Sequence, residues 1–262
     1  MLDTTAFTQL SITRTNNTLA VTIDTKHKAN VLSMSTLREL RSLALEINGD
    51  PSIAAVILSG QSAIFCGGMN LMELVQLEAE SHDMQSRREM AQLGAKMCKA
   101  WEDIEAVTFA AIEGPCVGGG VALSLAADFR ICSETAMIYV PEIERGMNMS
   151  WQSVPRSVSL IGPAKTKRMF LLADKVNMAS ALDWGWADYG CKAGLALETA
   201  MELATKIERM PAIPMRMCKE AINVAANALN HAVSYMDSDQ LLLMQHSEDY
   251  QAAIESFTGK SD

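Results

Sequence analysis

The pattern of hydrophobic and polar positions changes from strand-like to helical within the first fifty residues. Polar and apolar residues alternate over 9–15 and again over 18–23, which predicts a β-hairpin. Apolar residues then recur every three or four positions, which predicts a helix over 33–48 with Ser33 or Ser35 as its N-cap. The chain therefore opens with two paired strands followed by an amphipathic helix.

Two short apolar runs, 53–58 and 107–113, predict buried strands, and a glycine-bearing loop follows each of them. Between them, a polar stretch at 78–88 predicts a surface segment, and a helix follows it to about Ile104. Further strands are predicted at 129–133 and 137–140, and helices at 121–127, 150–161, 163–173, 179–186, 196–209, 212–228 and 231–258. Strands alternating with helices, followed by helices alone, predict an α/β core with an α-helical C-terminal portion.

Composition narrows the range of partners. The chain has 262 residues, of which 49 % are apolar, so it has enough hydrophobic material to fold around a core. Its net charge of −9 argues against a general nucleic-acid or membrane-surface binder, which needs a basic face. A small anionic ligand held by a few local groups stays compatible with that charge.

Neither metal binding nor membrane insertion is predicted. The six cysteines are scattered, without metal-ligand spacing, so we expect no metal site and a reducing, cytoplasmic setting. No apolar run reaches about 18 residues, and the first fifteen residues do not resemble a signal peptide.

The segment Gly114-Pro115-Cys116-Val117-Gly118-Gly119-Gly120 runs from a predicted strand into a predicted helix. Glycines allow a ligand to approach the backbone, and the first turn of a helix offers unpaired N–H groups, so this turn suits an anion. That anion is a phosphate, a carboxylate or an oxyanion that develops during a reaction. The spacing fits neither a dinucleotide fingerprint nor a P-loop; a tight turn needed only for packing is the remaining alternative.

A second loop, Phe65-Cys66-Gly67-Gly68-Met69-Asn70, has the same character and also follows a strand. Two such loops with exposed N–H groups can converge on one oxygen atom. Glu142 places a carboxylate just after the strand at 137–140, where it is either a solvated loop residue or a catalytic base.

These elements, in this order and spacing, resemble the crotonase superfamily, the enoyl-CoA hydratase/isomerase family. The resemblance spans nearly the whole chain and is carried by several motifs: Asp24 to Leu32, the two glycine loops, Pro141-Glu142, Gly162-Pro163-Ala164-Lys165 and Ala181-Leu182-Asp183-Trp184-Gly185. It implies a spiral of ββα units over residues 1–195 with the active site, and a helical region over 196–262 used for assembly into a homotrimer or a dimer of trimers.

The resemblance also implies an acyl-CoA thioester as substrate, with coenzyme A as part of the substrate and no separate cofactor. The family's oxyanion hole falls on the backbone N–H groups of Met69 and Gly119. The CoA-binding positions fall on four residues that match the part meeting the adenosine and phosphate end, and on one glycine of the second loop: Lys26, Lys28, Ala29, Asn30 and Gly68. Two solvated lysines in a turn are the plainer interpretation of the basic pair.

The acid/base positions distinguish reactions within the family. Its hydratases carry two glutamates, whereas this chain has Ala122 at the first position and Glu142 at the second. Hydration must activate water and also deliver a proton, and a carboxylate pair divides that work. A single carboxylate favours double-bond isomerisation with Glu142 as acid and base.

Other outcomes stay open at this level. A hydratase or dehydratase remains an alternative if Glu144, two residues beyond Glu142, or another polar group of the pocket assists. Decarboxylation, thioester hydrolysis and a catalytically silent acyl-CoA binder are further alternatives.

Overall fold

The computed structural model of the chain describes residues 6–61, 63–80, 83–257 and 259. Within the predicted polar stretch, residues 81 and 82 lie outside the described residues, and so does residue 258 of the predicted last helix. Residues 1–5, at the start of the predicted 1–195 region, and residues 260–262, at the end of the predicted 196–262 region, also lie outside the described residues.

The described residues form nine strands and eleven α-helices in chain order. The strands β1 to β9 span Leu10–Thr15, Thr18–Ile23, Ala55–Gly60, Val107–Ile112, Pro115–Val117, Phe129–Ser133, Met137–Tyr139, Val176–Asn177 and Tyr189–Cys191. The helices α1 to α11 span Met34–Asn48, Leu71–Glu80, Met84–Glu102, Gly119–Leu125, Ser153–Leu171, Met178–Trp184, Ala196–Glu208, Ala212–Ala226, Asn230–Ser234, Asp237–Met244 and Glu248–Phe257. A 3-10 helix at Glu142–Arg145 lies between β7 and α5.

The strands are divided between a large and a small sheet. The large sheet has the order β1-β2-β3-β4-β6-β9, antiparallel between β1 and β2 and parallel beyond, and the small sheet has the order β5-β7-β8. The chain repeatedly places one strand in the large sheet, the next in the small sheet, and then forms a helix, as in β4-β5-α4 and β6-β7-α5. This repeat confirms the predicted spiral of ββα units.

The structure contains the hairpin turn, the helix cap and the break between two helices that local sequence signals predict. The hairpin pairs Leu10 with Ile23 and Thr15 with Thr18, so its turn is Asn16-Asn17. Helix α1 is capped by Ser33, whose side chain accepts from the Thr36 N–H while the Thr36 hydroxyl accepts from the Ser33 N–H. The break predicted between two helices near residue 162 is a kink inside α5, where Gly162 has φ +76°.

The core lies on both faces of the large sheet. Helices α1 and α3 pack together on one side of it. On the other, Ala196, Ala200 and Ala204 of α7 pack against strands β3, β4 and β6. Helix α7, the first helix of the predicted 196–262 region, therefore contributes to the core of the large sheet.

Two segments differ from the predicted elements because tertiary contacts shape them. The segment after residue 70 forms α2. The long helix predicted at 231–258 is divided into α9, α10 and α11. Gln245, which follows α10, and Tyr250 of α11 both donate to the Glu78 carboxylate of α2. The chain therefore turns between α10 and α11 instead of continuing as one helix. None of the helices in the described ranges is both long enough and apolar enough to cross a bilayer.

Candidate active site

A cavity of about 340 Å³ opens where β5 ends and α4 begins. Its inner wall is made of both predicted glycine loops, and its outer wall of the segment after β7 together with residues from α2, α10 and α11. Because the walls come from widely separated parts of the sequence, the cavity forms only when the whole fold is in place.

The inner wall presents two backbone N–H groups. The Leu32 N–H donates to the Gly68 carbonyl and the Leu32 carbonyl accepts from the Asn70 N–H, so this ladder leaves the Met69 N–H out. Gly119 is the first residue of α4, and its N–H has no acceptor within the helix. The structure thus places the two predicted donors on the same wall of the cavity.

Positive φ angles bring the two donor segments together. Gly68 has φ +90° and Gly118 has φ +49°, values that favour glycine. A Cβ on Gly68 would lie 3.1 Å from the Val117 carbonyl oxygen and 3.7 Å from the Gly119 nitrogen. The backbones of the two loops are therefore adjacent, as an oxyanion site requires.

Glu142 lies opposite these donors at the start of the 3-10 helix. A Cβ on Gly118 would lie 2.5 Å from Glu142 Oε1, so the carboxylate rests against that glycine. The second oxygen, Oε2, is buried without a hydrogen-bond partner among the described residues. Burial raises the pKa of Glu142 to about 7, opposed by its own backbone N–H and by the charge of Arg145.

The two other positions weighed as acid/base candidates hold no second carboxylate inside the cavity. Ala122 is buried and contributes only a methyl group to the lining. Glu144 is exposed and accepts a hydrogen bond from the Tyr139 hydroxyl, away from the residues that line the cavity. Glu142 is therefore the only carboxylate among the described residues that line the cavity.

The segment matched to the CoA end divides into two groups. Ala29 and Gly68 line the cavity, and so does His27, whose ring accepts from the Ala29 N–H. Lys26 and Lys28 are exposed and do not line it.

Lys26 has a partner of its own, since it forms an ion pair with Asp24. Asn30 is also absent from the lining because its amide is buried in the fold, where it donates to the Ile23 carbonyl at 3.0 Å and to the Phe65 carbonyl at 2.9 Å. The structure thus gives Asn30 a structural role in holding the second loop against β2.

Trp151 lines the cavity and belongs to the segment 147–152, whose bulky residues are expected from the sequence to reshape the acyl pocket. A Cβ on Gly119 would lie 2.7 Å from Trp151 Cζ3, and a Cβ on Gly94 of α3 would collide with the same indole. Two glycines thus leave the space that the ring fills, directly behind the Gly119 donor. The spacing of Gly94 within a helical pattern gave no signal of this contact.

An unusual backbone turn holds that indole in position. Trp151 and Gln152 have φ +58° and +61°, left-handed values that are uncommon outside glycine. Asp237 of α10 accepts from the Gln152 N–H at 2.8 Å, and Arg156 donates to the Trp151 carbonyl at 2.8 Å. Arg156 in turn pairs with Glu102 of α3 at 2.8 Å.

The outer wall carries two further polar residues: Asn148, which belongs to the segment 147–152 expected to add polar contacts, and Arg145, to which the sequence analysis assigned no role. Arg145 Nη1 and Asn148 Oδ1 are buried and lack hydrogen-bond partners within the described part of the chain. Leu241 of α10 and Phe257 of α11 complete this wall, and the Phe257 ring lies 4.2 Å from the Arg145 guanidinium carbon. Among the described lining residues, the cavity thus combines apolar walls with the Glu142 carboxylate, the Arg145 guanidinium and the amides of Asn70 and Asn148.

Comparison with known proteins identifies relatives of this chain. A family model described as enoyl-CoA hydratase/isomerase matches residues 13–262. The short-chain-enoyl-CoA hydratase of Clostridium acetobutylicum is 28 % identical over 204 residues, which cover 78 % of this chain and 76 % of the relative. The carnitinyl-CoA dehydratase of Proteus mirabilis is 29 % identical over 212 residues, covering 80 % and 78 %.

Solved structures show the same architecture. An enoyl-CoA hydratase/isomerase from Xanthobacter autotrophicus Py2 superposes with a TM-score of 0.88 at 22 % identity, over 97 % of this chain and 94 % of the other. Pseudomonas aeruginosa DspI superposes with a TM-score of 0.79 at 27 % identity, over 94 % and 98 %. The predicted fold class is confirmed by these similarities.

Proposed function

The chain belongs to the enoyl-CoA hydratase/isomerase family, and from that premise we propose that it moves the double bond of an enoyl-CoA with Glu142 as the single acid and base. The observation that carries this proposal is the composition of the cavity wall. Among the described residues that line it, Glu142 is the only carboxylate, and a methyl group of Ala122 stands where the family's hydratases have the other.

The proposed reaction begins at the thioester. The carbonyl oxygen of a 3-enoyl-CoA accepts hydrogen bonds from the Met69 and Gly119 N–H groups, and Glu142 takes a proton from C2. The electrons of that C–H bond move to the carbonyl oxygen, which becomes the oxyanion of a dienolate. Preorganised donors in a dry cavity stabilise such a charge by about 3 kcal/mol each.

Glu142 then returns the proton at C4, and the product is the 2-enoyl-CoA. A base with a pKa of about 7 suits this task, since it is substantially ionised at neutral pH and still binds a proton well enough to deliver it. Coenzyme A is part of the substrate, so this proposal requires no separate cofactor.

Hydration is the second candidate, because relatives of this chain carry the names hydratase and dehydratase. In that reaction Glu142 would need a partner to orient water at C3. Asn148 and Ser150 are two polar residues of the lining that could do this, whereas Glu144 lies outside it. Mass spectrometry of the product separates the two reactions, since hydration adds one water molecule to the thioester and isomerisation leaves its mass unchanged.

The decisive experiment compares Glu142→Gln with the matched control Glu144→Gln. We expect Glu142→Gln to lower kcat for 3-enoyl-CoA isomerisation by about 10³-fold, because general acid–base catalysis is removed. Glu144→Gln should stay within about twofold of the wild type, because that residue lies outside the cavity. Full activity of Glu142→Gln would exclude the proposed role, and tight acyl-CoA binding without turnover by the wild type would identify a silent binder.

The missing second carboxylate can be restored by Ala122→Glu, with Ala122→Gln as its control. We expect Ala122→Glu to gain hydration of a 2-enoyl-CoA by at least about tenfold over the control, because the new carboxylate shares the acid–base work. Efficient hydration by the wild type itself would instead favour the second candidate.

The assembly proposed for this enzyme is a homotrimer or a dimer of trimers that uses helices of the 196–262 region. Apolar side chains that a lone subunit leaves exposed support it: Ile213, Met217, Ile222, Val224, Leu229 and Val233. Ile213 is the most exposed of these side chains, at 74 %. Sedimentation equilibrium should give three or six times the 28.5 kDa subunit mass, and Ile222→Lys should shift the protein towards smaller species.

A further inference from the structure

Arg145 projects into the same cavity as the proposed base. The two residues are three positions apart in a 3-10 helix, where side chains at i and i+3 lie above one another on one face. Both line the cavity, and the rise of one turn separates them by about 6 Å along the helix.

The Arg145 guanidinium has an unmet donor inside the cavity. Its Nη1 is buried without a hydrogen-bond partner, and no carboxylate of the described residues forms an ion pair with it. The Phe257 ring covers the guanidinium at 4.2 Å and leaves the nitrogen edge for a partner. A buried donor without an acceptor is costly, so this nitrogen of the half-buried guanidinium favours a ligand that supplies an anionic acceptor.

Asn148 adds a second polar group on the same wall. Its Oδ1 is buried without a partner, while its Nδ2 donates to Gln240 Oε1 at 3.3 Å. Rotating both amides exchanges these roles and turns the Asn148 N–H towards the cavity. Guanidinium and amide N–H groups together match the two oxygens of a carboxylate.

From these contacts we infer that the acyl chain of the substrate itself ends in a carboxylate, which Arg145 and Asn148 bind. The substrate class is the CoA monothioester of a short dicarboxylic acid. This inference rests on the proposed function, because it takes the cavity to be an acyl-CoA site.

The position of Arg145 distinguishes an acyl carboxylate from the phosphates of coenzyme A. Arg145 stands one helical turn from Glu142, which acts on C2 and C4 of the acyl chain, and its charge lowers the pKa of that carboxyl group. The pantetheine arm holds the phosphates far from those carbons. The guanidinium is therefore placed for the acyl end of the ligand.

Calorimetric binding of two saturated thioesters tests the inference without any turnover. Glutaryl-CoA and valeryl-CoA have five acyl carbons each and differ in the terminal carboxylate. We expect the wild type to bind glutaryl-CoA at least about tenfold more tightly. Arg145→Met should reverse this preference, Arg145→Lys should keep part of it, and Arg168→Met, which removes an exposed arginine paired with Asp174, should leave it intact.

The arms of the experiment separate the ways in which the inference can fail. Equal affinities of the wild type for the two thioesters overturn it alone and leave the enoyl-CoA assignment standing. An equal loss of affinity for glutaryl-CoA, valeryl-CoA and free coenzyme A in Arg145→Met shows that the bound anion is a phosphate, which also overturns it. If the wild type binds no CoA thioester, the proposed function itself fails.

Discussion

The two walls of the cavity are built by different means. The inner wall presents the backbone N–H groups of Met69 and Gly119, the proposed oxyanion donors, which are fixed by strand ends, a helix start and two left-handed glycines. The outer wall works with the side chains of Glu142, Arg145 and Asn148, carried by a short 3-10 helix and the segment after it.

The difference shows how one family scaffold supports different reactions. Backbone donors stabilise an enolate oxygen whatever the acyl chain is, and they are held by the sheets and α4. In the proposed reaction, the side chains opposite decide where protons go and which acyl group is accepted. The donors proposed for the oxyanion are thus held by the sheets and α4, and the side chains proposed to distinguish this member face them from the outer wall.

The largest effect is expected for Gly118→Ala, because Gly118 is the inner-wall residue that Glu142 of the outer wall contacts. The new Cβ would lie 2.5 Å from Glu142 Oε1 at a left-handed φ, so the carboxylate must move. We expect kcat to fall by about 10²- to 10³-fold, since displacement of a catalytic group by about 1 Å is this costly. Steady-state kinetics on the folded variant measures it.

Gly185→Ala is the matched control, because Gly185 also has a positive φ but would meet nothing within 4 Å. It should cost about 1–2 kcal/mol of unfolding free energy and leave kcat intact. A similar loss of kcat in both variants would trace the effect to general strain.

The pH profile tests the outer wall alone. The free enzyme needs Glu142 ionised, so kcat/KM should fall about tenfold per unit below the pKa of about 7, reaching about 10²-fold at pH 5. Arg145→Met should move the inflection to higher pH, because the guanidinium charge lowers the pKa of Glu142. A profile that stays flat between pH 5 and 8 would contradict the assignment of the base.

The same carboxyl group should reduce stability at alkaline pH. Its pKa is raised from 4.5 to about 7 on folding, so the folded chain binds this proton more tightly than the unfolded chain does. The resulting stability is complete below about pH 4.5 and is lost as the pH rises through about 7. Glu142→Gln should therefore be more stable than the wild type by about 1–3 kcal/mol at pH 8, with little difference at pH 4.5.

Urea unfolding at these two pH values measures the effect. Glu144→Gln, which changes an exposed carboxylate on the same 3-10 helix, should show no such pH-dependent gain. An equal gain in both variants would mean that reduced surface charge, and not burial of Glu142, is the cause.

The smallest expected effect concerns the support behind the inner wall. Asp237→Ala removes the acceptor of the Gln152 N–H and should cost about 1–2 kcal/mol of unfolding free energy. A fall of kcat by a few-fold should accompany it, because the neighbouring Trp151 packs on Gly119. Asp239→Ala, on the same helix, breaks an exposed pair with Arg88 and should cost less than about 1 kcal/mol with kcat unchanged.

The sequence predicted the inner wall because its signals are local. Alternation in the hairpin, the Ser33 cap and the glycines after two apolar runs each specify a nearby backbone conformation. Once parallel strands align, the loops at their ends are adjacent, so Met69 and Gly119 lie where the resemblance placed them. The lysines at 26 and 28 followed the same motif, yet both side chains lie outside the cavity wall.

On the outer wall, the sequence predicted Glu142 from its motif, but it did not predict the contacts of Arg145 and Trp151, because distant parts of the chain create them. Arg145 lines the cavity only because the chain folds back and lays Phe257 over it, more than a hundred residues later. Trp151 adopts a left-handed backbone angle because Arg156 and Asp237 bind the turn at residues 151 and 152. No periodicity or spacing near residues 145–152 records those partners.

The use of backbone donors affects how this protein can diverge. Every amino acid except proline has a backbone N–H group, so a substitution at position 69 would keep the proposed hydrogen bond to the thioester oxygen. Homologous chains would instead need to keep glycine at positions 68 and 118, because their left-handed backbone angles orient the two N–H donors. The proposed oxyanion site therefore constrains the glycines at 68, 118 and 119, the last because a Cβ there would meet Trp151, and leaves the side chain at position 69 free to vary.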